Sequence, residues 1–411
     1  MYFIYNILVL FAGFSLKIVA LFNKKINLFI EGRKYTFRKL ANVISENDKV
    51  IWFHCASLGE FEQGRPIIEK LKEEYPTYKL VLTFFSPSGF EVRKNYKLAD
   101  VVCYLPLDTK KNVQKFIDII HPTLAVFVKY EFWPNILKEL KIRSVKTILV
   151  SGIFRENQSF FKWYGGWMRK SLKAFNHFFV QDENSKILLN KINVSNVTIS
   201  GDTRFDRVYE ITKQDNKLSF IDEFKDDKYT LVAGSTWKED EELLVNYINN
   251  EASENEKFII APHNINSEEI LKLKDSIIKK TVLFSEKENL NLKDFKVFII
   301  DTVGILTKIY SYAEIAYVGG GYTKSGVHNV LEPATFGIPI IIGPNYYKFN
   351  EAIDLVKEES CFVVNDSKKL SVYLNKFFQD KQSRKKAGNN ALKYVIDKTG
   401  ATTKILYYLK K

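Results

Sequence analysis

From about residue 48 onward, short and almost wholly apolar runs alternate with stretches whose apolar residues recur every three or four positions. "KVIWFHCAS", "KLVLTFFS", "DVVCYLP", "TLAVFVKY", "VKTILVSG" and "HFFVQD" are too short for helices and rich in β-branched and aromatic residues, so they predict strands. "EQGRPIIEKLKEEYP" and "TKKNVQKFIDIIHP", between them, carry the helical period. Strands that are apolar on both faces and alternate with helices predict a parallel sheet covered on both sides. After the polar stretch "YEITKQDNKLSF" the same grammar restarts with "YTLVAGS", "KFIIAPHN", "TVLFS", "FKVFIID", "IAYVGGG", "GIPIIIG" and "CFVVND". The pattern predicts two doubly wound α/β halves, residues 23–206 and 219–411, joined by a linker at 207–218. In such sheets ligands bind beyond the carboxyl ends of the strands, and with two halves the expected site is the cleft between them.

The first 22 residues, "MYFIYNILVLFAGFSLKIVALF", break this pattern: they are apolar apart from Asn6, Ser15 and Lys17. A run of ~20 apolar residues is long enough to cross a bilayer core, and it lacks the basic start and small-residue cleavage site of a signal peptide. The basic cluster Lys24, Lys25, Arg33, Lys34, Arg38 and Lys39 follows it, which by the positive-inside rule places the rest of the chain in the cytoplasm. Residues 1–22 are therefore expected to anchor the chain, as a span or as a helix lying in the interface; a buried N-terminal helix is the alternative.

At 411 residues the chain exceeds one ordinary core, and 46% hydrophobic residues leave little room for long disorder. The net charge of +13 asks for an anionic partner: nucleic acid, an acidic lipid surface or a phosphorylated substrate. Three cysteines, Cys55, Cys103 and Cys361, lie far apart, which speaks against a disulfide framework and for a reducing compartment. The five histidines form no HExxH or HxH pair, and no metal site is expected.

Candidate chemistry sits in the turns after strands. In "HCASLGEFEQG", Glu60 and Glu62 open a helix, where an acid can be a simple partner of the helix dipole or a working carboxylate. In "VKYEFWPN", Glu131 follows a strand beside Trp133; it reads equally as an acid of perturbed pKa or as a surface-loop acid. "SGDTRFDRV" places Arg204 before the linker, where a guanidinium can neutralise a phosphate or simply be solvated. In the second half, "LVAGSTWKEDEE" offers Ser235 and Thr236 as helix cap or phosphate turn, "IIAPHN" brings Pro262 and His263 to a strand end, and "DTVGIL" adds a glycine turn at Gly304. The stretch "YVGGGYTKSGVHNVLEPATFGIPIIIGPN" combines Gly319, Gly320, Gly321 and Gly326 with a helix expected from "HNVLEPATFG". There Asn329 and Glu332 would share a helix face and could hold a ribose or merely cap the helix. Together these turns favour a nucleotide pocket. "FFKWYGGWMRKSLK", residues 160–173, mixes aromatics with Lys162, Arg169, Lys170 and Lys173, as suits a membrane interface or a nucleic-acid surface.

"ASLGE", "YEFWPN", "GDTRFD" and "SGVHNVLEP" occur in an order and spacing that resembles the 3-deoxy-D-manno-octulosonic acid (Kdo) transferases of lipopolysaccharide synthesis, over nearly the whole chain. The resemblance implies a GT-B glycosyltransferase with two Rossmann-like domains facing across a cleft: an N-terminal acceptor domain and a C-terminal CMP-sugar domain whose last helix is a candidate to pack back on the first. It implies CMP-Kdo as donor, the 6′ hydroxyl of a lipid A precursor as acceptor, inversion without a metal or other cofactor, and work on the cytoplasmic side of the inner membrane among anionic lipids, not on nucleic acid. By motif position Glu60 is the proton acceptor, and Glu131 and Arg204 the transition-state stabilisers. CMP contacts fall on Ser235, Pro262, His263, Val303, Gly304, Ile305, Asn329, Val330, Leu331 and Glu332. The chain departs from the family where a linker lysine is Arg204, where "PRH" becomes "APHNI" with His263 at the arginine position, where a frequent glutamate is Lys129, and where the phosphate loop reads "YTKSGVHN". The rival readings are a GT-B transferase using a UDP-sugar, and a non-catalytic protein binding anionic membranes or nucleic acid.

Overall fold

The computed structural model describes residues 1–410. The chain forms two compact units, Met1–Arg207 with Thr399–Lys411, and Val208–Lys398. In the first unit seven parallel strands form one sheet: β1 (Val50–Cys55), β2 (Lys79–Phe84), β3 (Val101–Tyr104), β4 (Leu124–Val128), β5 (Lys146–Gly152), β6 (His177–Val180) and β7 (Val197–Ile199). Their order is β3-β2-β1-β4-β5-β6-β7. The chain builds outward from β1 in one direction, then returns to β1's other side with β4, so Ile51 is paired with Leu80 on one flank and Leu124 on the other. That reversal opens a crevice at the carboxyl ends of β1 and β4. Trp52, Phe116 and Phe127 fill one face of the sheet and Phe53, Phe61 and Phe84 the other, all fully buried. At ~1.5–3 kcal/mol for each large side chain removed from water, these two layers hold the crevice's strands rigid.

The second unit repeats the design with β8 (Tyr229–Thr236), β9 (Glu256–Pro262), β10 (Thr281–Leu283), β11 (Val297–Ile299), β12 (Ile315–Val318), β13 (Ile340–Ile342) and β14 (Cys361–Val363). The order β10-β11-β9-β8-β12-β13-β14 puts the reversal between β8 and β12. Both units are Rossmann-like, as expected of a GT-B chain. Thirteen of these strands lie on runs singled out by pattern; β7 does not, because "VTI" is three half-buried residues at a sheet edge and makes no continuous apolar run.

The boundary differs from the expected linker. Residues 207–211 finish a helix, Thr203–Ile211, rather than opening a linker. Asp206 in that helix accepts hydrogen bonds from the Gly400 and Thr402 amides at 2.5 and 2.6 Å. The helix Ala401–Lys410 then buries Ile405 in the same core as Ile67, Ile68 and Leu71, so the chain's end belongs to the first unit. Only a contact distant in sequence decides this; the helix's own pattern would suit either unit.

The helix Tyr2–Val19 buries Gly13 alone and leaves Phe3, Leu8, Leu10, Phe11 and Phe14 bare to solvent. Its length and mean hydropathy of 1.8 suffice for a membrane span. One edge is nevertheless tied to the first unit: Tyr2 donates to the Pro134 carbonyl at 2.7 Å, Tyr5 to Asp108 at 2.7 Å, and Asn135 to Asn6 at 3.0 Å. Asp108 also accepts from the Asn135 and Ile136 amides at 2.9 Å, capping the helix Pro134–Ile142 that begins at "WPN".

Candidate active site

The crevice of the first sheet receives two carboxylates, one from the turn after β1 and one from the turn after β4. "ASLGE" ends β1 and starts the helix Leu58–Glu74, whose first turn carries Glu60. The Glu60 side chain folds back to accept the Ala56 amide and is only 6% exposed. Burial, followed by the negative charge of Glu131, pushes its carboxyl up to about 7, although the Ala56 and Ser57 amides and the Lys129 ammonium pull it down. A carboxylate poised there can take a proton near neutral pH. Glu60 is thus the acid in the first turn of its helix, and burial raises its carboxyl toward neutrality. Glu62 is not the first-turn acid it was taken for: it lies a half-turn further on and is ion-paired, with Arg93 at 2.9 Å and with Arg207.

Glu131 is no surface-loop acid. Its Oε2 lies 3.1 Å from Nε2 of the fully buried His54 on β1 and accepts the Trp133 indole N–H at 2.9 Å. His54 Nδ1 meets Thr83 Oγ1 on β2 at 2.9 Å, and the same oxygen accepts the Trp52 indole N–H at 2.9 Å. Three neighbouring strands thus fix Glu131 through one imidazole. Lys129, between β4 and Glu131, has φ 73°, a conformation costly for a side-chain-bearing residue and found where a turn must aim its neighbours. Removing the Glu131 charge should let Glu60 ionise more readily: in Glu131→Gln the Glu60 carboxyl, followed by carbon-13 NMR, is expected to titrate at lower pH than in the parent protein. An unchanged midpoint would show that burial alone sets it.

Arg204, expected just before the linker, lies in the first turn of the helix Thr203–Ile211. Its Nε and terminal nitrogen both meet Asp202 Oδ2 at 2.9 Å, and Asp202 accepts the Gln63 amide at 3.2 Å, from the same helix that carries Glu60.

In the second unit the expected nucleotide residues come together at the carboxyl edge of the sheet. Ser235, with φ 55°, lies within β8, and the residue capping the next helix, Lys238–Asn250, is Trp237 rather than Ser235 or Thr236. The capping acid is the fully buried Asp240, which accepts the Trp237 amide at 2.9 Å, the Gly320 amide at 2.8 Å and the Tyr317 hydroxyl at 2.7 Å. It thereby ties the turn after β8 to the glycine turn after β12. A Cβ on Gly319 would stand 2.4 Å from the Ser235 carbonyl oxygen, and Gly320 has φ 90°, so this close approach needs glycine at both positions.

The helix expected from "HNVLEPATFG" is only Leu331–Ala334, so Asn329 precedes it instead of sharing its face with Glu332. Glu332 accepts from Asn329 at 3.1 Å and from Thr307 at 3.0 Å, linking this segment to the turn Val303, Gly304 and Ile305. Val303 and Gly304 are exposed there, and the Val330 and Leu331 side chains are core. Pro262 ends β9, and the His263 ring beyond it stacks on Trp237 at 4.8 Å and on His328 at 4.3 Å. No group of three or more side chains suited to a metal ion occurs among the described residues.

The first unit carries the decisive likeness. A family model described as 3-Deoxy-D-manno-octulosonic-acid transferase (kdotransferase) matches residues 32–207, the segment that holds Glu60, Glu131 and Arg204. A 3-deoxy-D-manno-octulosonic acid transferase of Haemophilus influenzae is 25% identical over 381 residues, covering 88% of this chain and 86% of the relative. That of Aquifex aeolicus is 28% identical over 341 residues, covering 82% and 88%. Residues 32–207 match the Kdo transferase family, and the chain is similar to curated Kdo transferases over most of its length. It is a glycosyltransferase, and its fold is that of GT-B proteins and their neighbours. The solved UDP-GlcNAc 2-epimerase of Neisseria meningitidis, bound to UDP-GlcNAc, aligns with a TM-score of 0.59 over 88% of this chain and 100% of that one at 14% identity.

Three contributors went unassigned in the sequence: His54, Trp237 and His328. Each stands inside a quoted motif, Trp237 and His328 directly beside Thr236 and Asn329, and His54 six positions before Glu60. A fully buried histidine in an apolar strand is the signal that could have found His54. Nothing local marks Trp237 and His328 as partners, since they are 91 residues apart.

Proposed function

We propose that the protein transfers Kdo from CMP-Kdo to the 6′ hydroxyl of a tetra-acylated lipid A precursor, with inversion and without a metal ion. The acceptor hydroxyl gives its proton to Glu60 as its oxygen bonds to the anomeric carbon, and the bond from that carbon to the CMP phosphate oxygen breaks on the opposite face. The observation that carries this reading is the buried Glu60 carboxyl, tuned to about 7 at the strand-order reversal of the first sheet. A sugar hydroxyl is a poor nucleophile, and a placed base assists its attack by ~10²–10⁴-fold. Glu131 and Arg204 steady the charge that develops in the transition state. Ser235, Pro262, His263, Val303, Gly304, Ile305, Asn329, Val330, Leu331 and Glu332 hold CMP, with backbone N–H groups at the glycine turn for its phosphate.

The helix Tyr2–Val19, the exposed Trp163 and the basic residues Lys162, Arg169, Lys170 and Lys173 hold the protein on the cytoplasmic face of the inner membrane, where an anionic lipid acceptor is embedded. The test is incubation of the purified chain with CMP-Kdo and the lipid precursor, with and without EDTA, followed by mass spectrometry. A mass gain of one or more Kdo units, insensitive to EDTA, is expected. No gain from CMP-Kdo but a gain from a UDP-sugar would replace the donor, and dependence on added metal would overturn the metal-free step.

A further inference from the structure

At the carboxyl edge of the second sheet three aromatic rings form a block. Trp237 and His328 lie edge to edge, their planes 4° apart, and the indole N–H donates to His328 Nε2 at 2.9 Å. His263 covers both, its ring 19° from the indole plane and 22° from the His328 plane. An indole nitrogen can only donate, so His328 Nε2 must be the bare, accepting nitrogen and Nδ1 must carry the ring proton. Nδ1–H has no hydrogen-bond partner among the described residues. The same ring rests on the backbone of Gly320: a Cβ there would stand 2.7 Å from His328 Cδ2. The His328 amide donates to the Gly319 carbonyl at 3.0 Å. His328 thus belongs to the glycine turn at the strand-order reversal, where a Rossmann-like sheet receives the phosphate of a nucleotide.

We propose that Trp237 is a positioning residue: its indole N–H fixes His328 in the Nδ1–H tautomer, so that the imidazole offers one neutral, correctly aimed donor to the phosphate of the nucleotide sugar. The proposal rests on the donor reading given above. With the proton on the other nitrogen, a lone pair would face the phosphate oxygens and the bond would become a repulsion. Burial and the neighbouring His263 hold the His328 imidazolium form down to about 4, so the ring stays neutral at physiological pH and the tautomer, not the charge, decides what it can do. Asp240 fixes both halves of the arrangement, through the Trp237 and Gly320 amides.

Two measurements on the full chain test this. With nitrogen-15-labelled histidine, the His328 signal, recognised among five by its loss in His328→Asn, should show Nδ1 protonated and Nε2 bare at pH 7. In Trp237→Phe it should show a mixture. By calorimetry, CMP should bind Trp237→Phe and His328→Asn roughly 10-fold more weakly than the parent, the scale of one lost bond to a charged group, while cytidine binds all three alike. A protonated Nε2 in the parent, or equal losses for CMP and cytidine, overturns the role given to Trp237 while leaving the donor reading intact. Failure of the parent to bind CMP at all overturns the donor reading and takes this proposal with it.

Discussion

Glu60→Gln is expected to lower the turnover of Kdo transfer by ~10²–10⁴-fold while leaving CMP binding unchanged, because the base lies in the first unit and the nucleotide residues in the second. The glutamine carbonyl can still accept the Ala56 amide, so the turn should keep its shape. The same variant carries a second, independent readout. A carboxyl raised from 4.5 to about 7 binds its proton more tightly in the folded chain than in the unfolded one. Stability is therefore lost as pH rises from about 4.5 through 7 and stays lower above that, by up to about 3 kcal/mol. Glutamine does not ionise. Glu60→Gln should melt higher than the parent at pH 8 and at the same temperature near pH 4, when both are followed by circular dichroism. Loss of activity with no gain at pH 8 would mean that the carboxyl is not held at the cost its burial implies.

The other large effect is expected at Asp240. Replacement by alanine leaves the Trp237 amide, the Gly320 amide and the Tyr317 hydroxyl without their acceptor in a site closed to water. An orphaned buried donor costs ~1–3 kcal/mol, so three together should lower the stability of the second unit by about 3–5 kcal/mol. Burial pushes the Asp240 carboxyl up, and the three donors offset only part of that rise. Urea denaturation should show an earlier transition for the second unit alone, and CMP affinity should fall because the glycine turn has lost its brace. An unshifted transition would show that the turn holds itself. Asp240→Asn, which keeps one acceptor oxygen, should fall between.

Both variants act on residues whose type the sequence displays and whose importance depends on distant partners. Glu60 and Asp240 look alike in the chain, each an acid in the first turn of a helix after a strand. One has backbone donors that do not offset its burial and a second carboxylate nearby, and its proton affinity rises to about 7. The other collects three donors from two turns and becomes structural. Glu332 shows the same division: three residues after Asn329 it suggested a shared helix face, yet it accepts from both Asn329 and Thr307 because the helix begins three residues later than the motif implied.

The sequence by itself determined the two doubly wound units, thirteen of their fourteen strands and, by resemblance, the motif positions shared with Kdo transferases. The units and strands follow from local physics, apolar runs buried on both faces with helical periods between them, whereas the motif positions are read by resemblance to a family. The tertiary structure decided which strands lie at each reversal, and so which turns meet. It decided that the last helix closes on the first unit through Asp206 and Ile405, and that the apolar N-terminal helix keeps one polar edge on its own domain. It also decided the protonation chemistry, since the pKa of Glu60 and the tautomer of His328 are set by burial and by partners from other strands. Period and composition register what a residue does to its neighbours in sequence; a carboxylate's proton affinity depends on charges and donors brought to it through space.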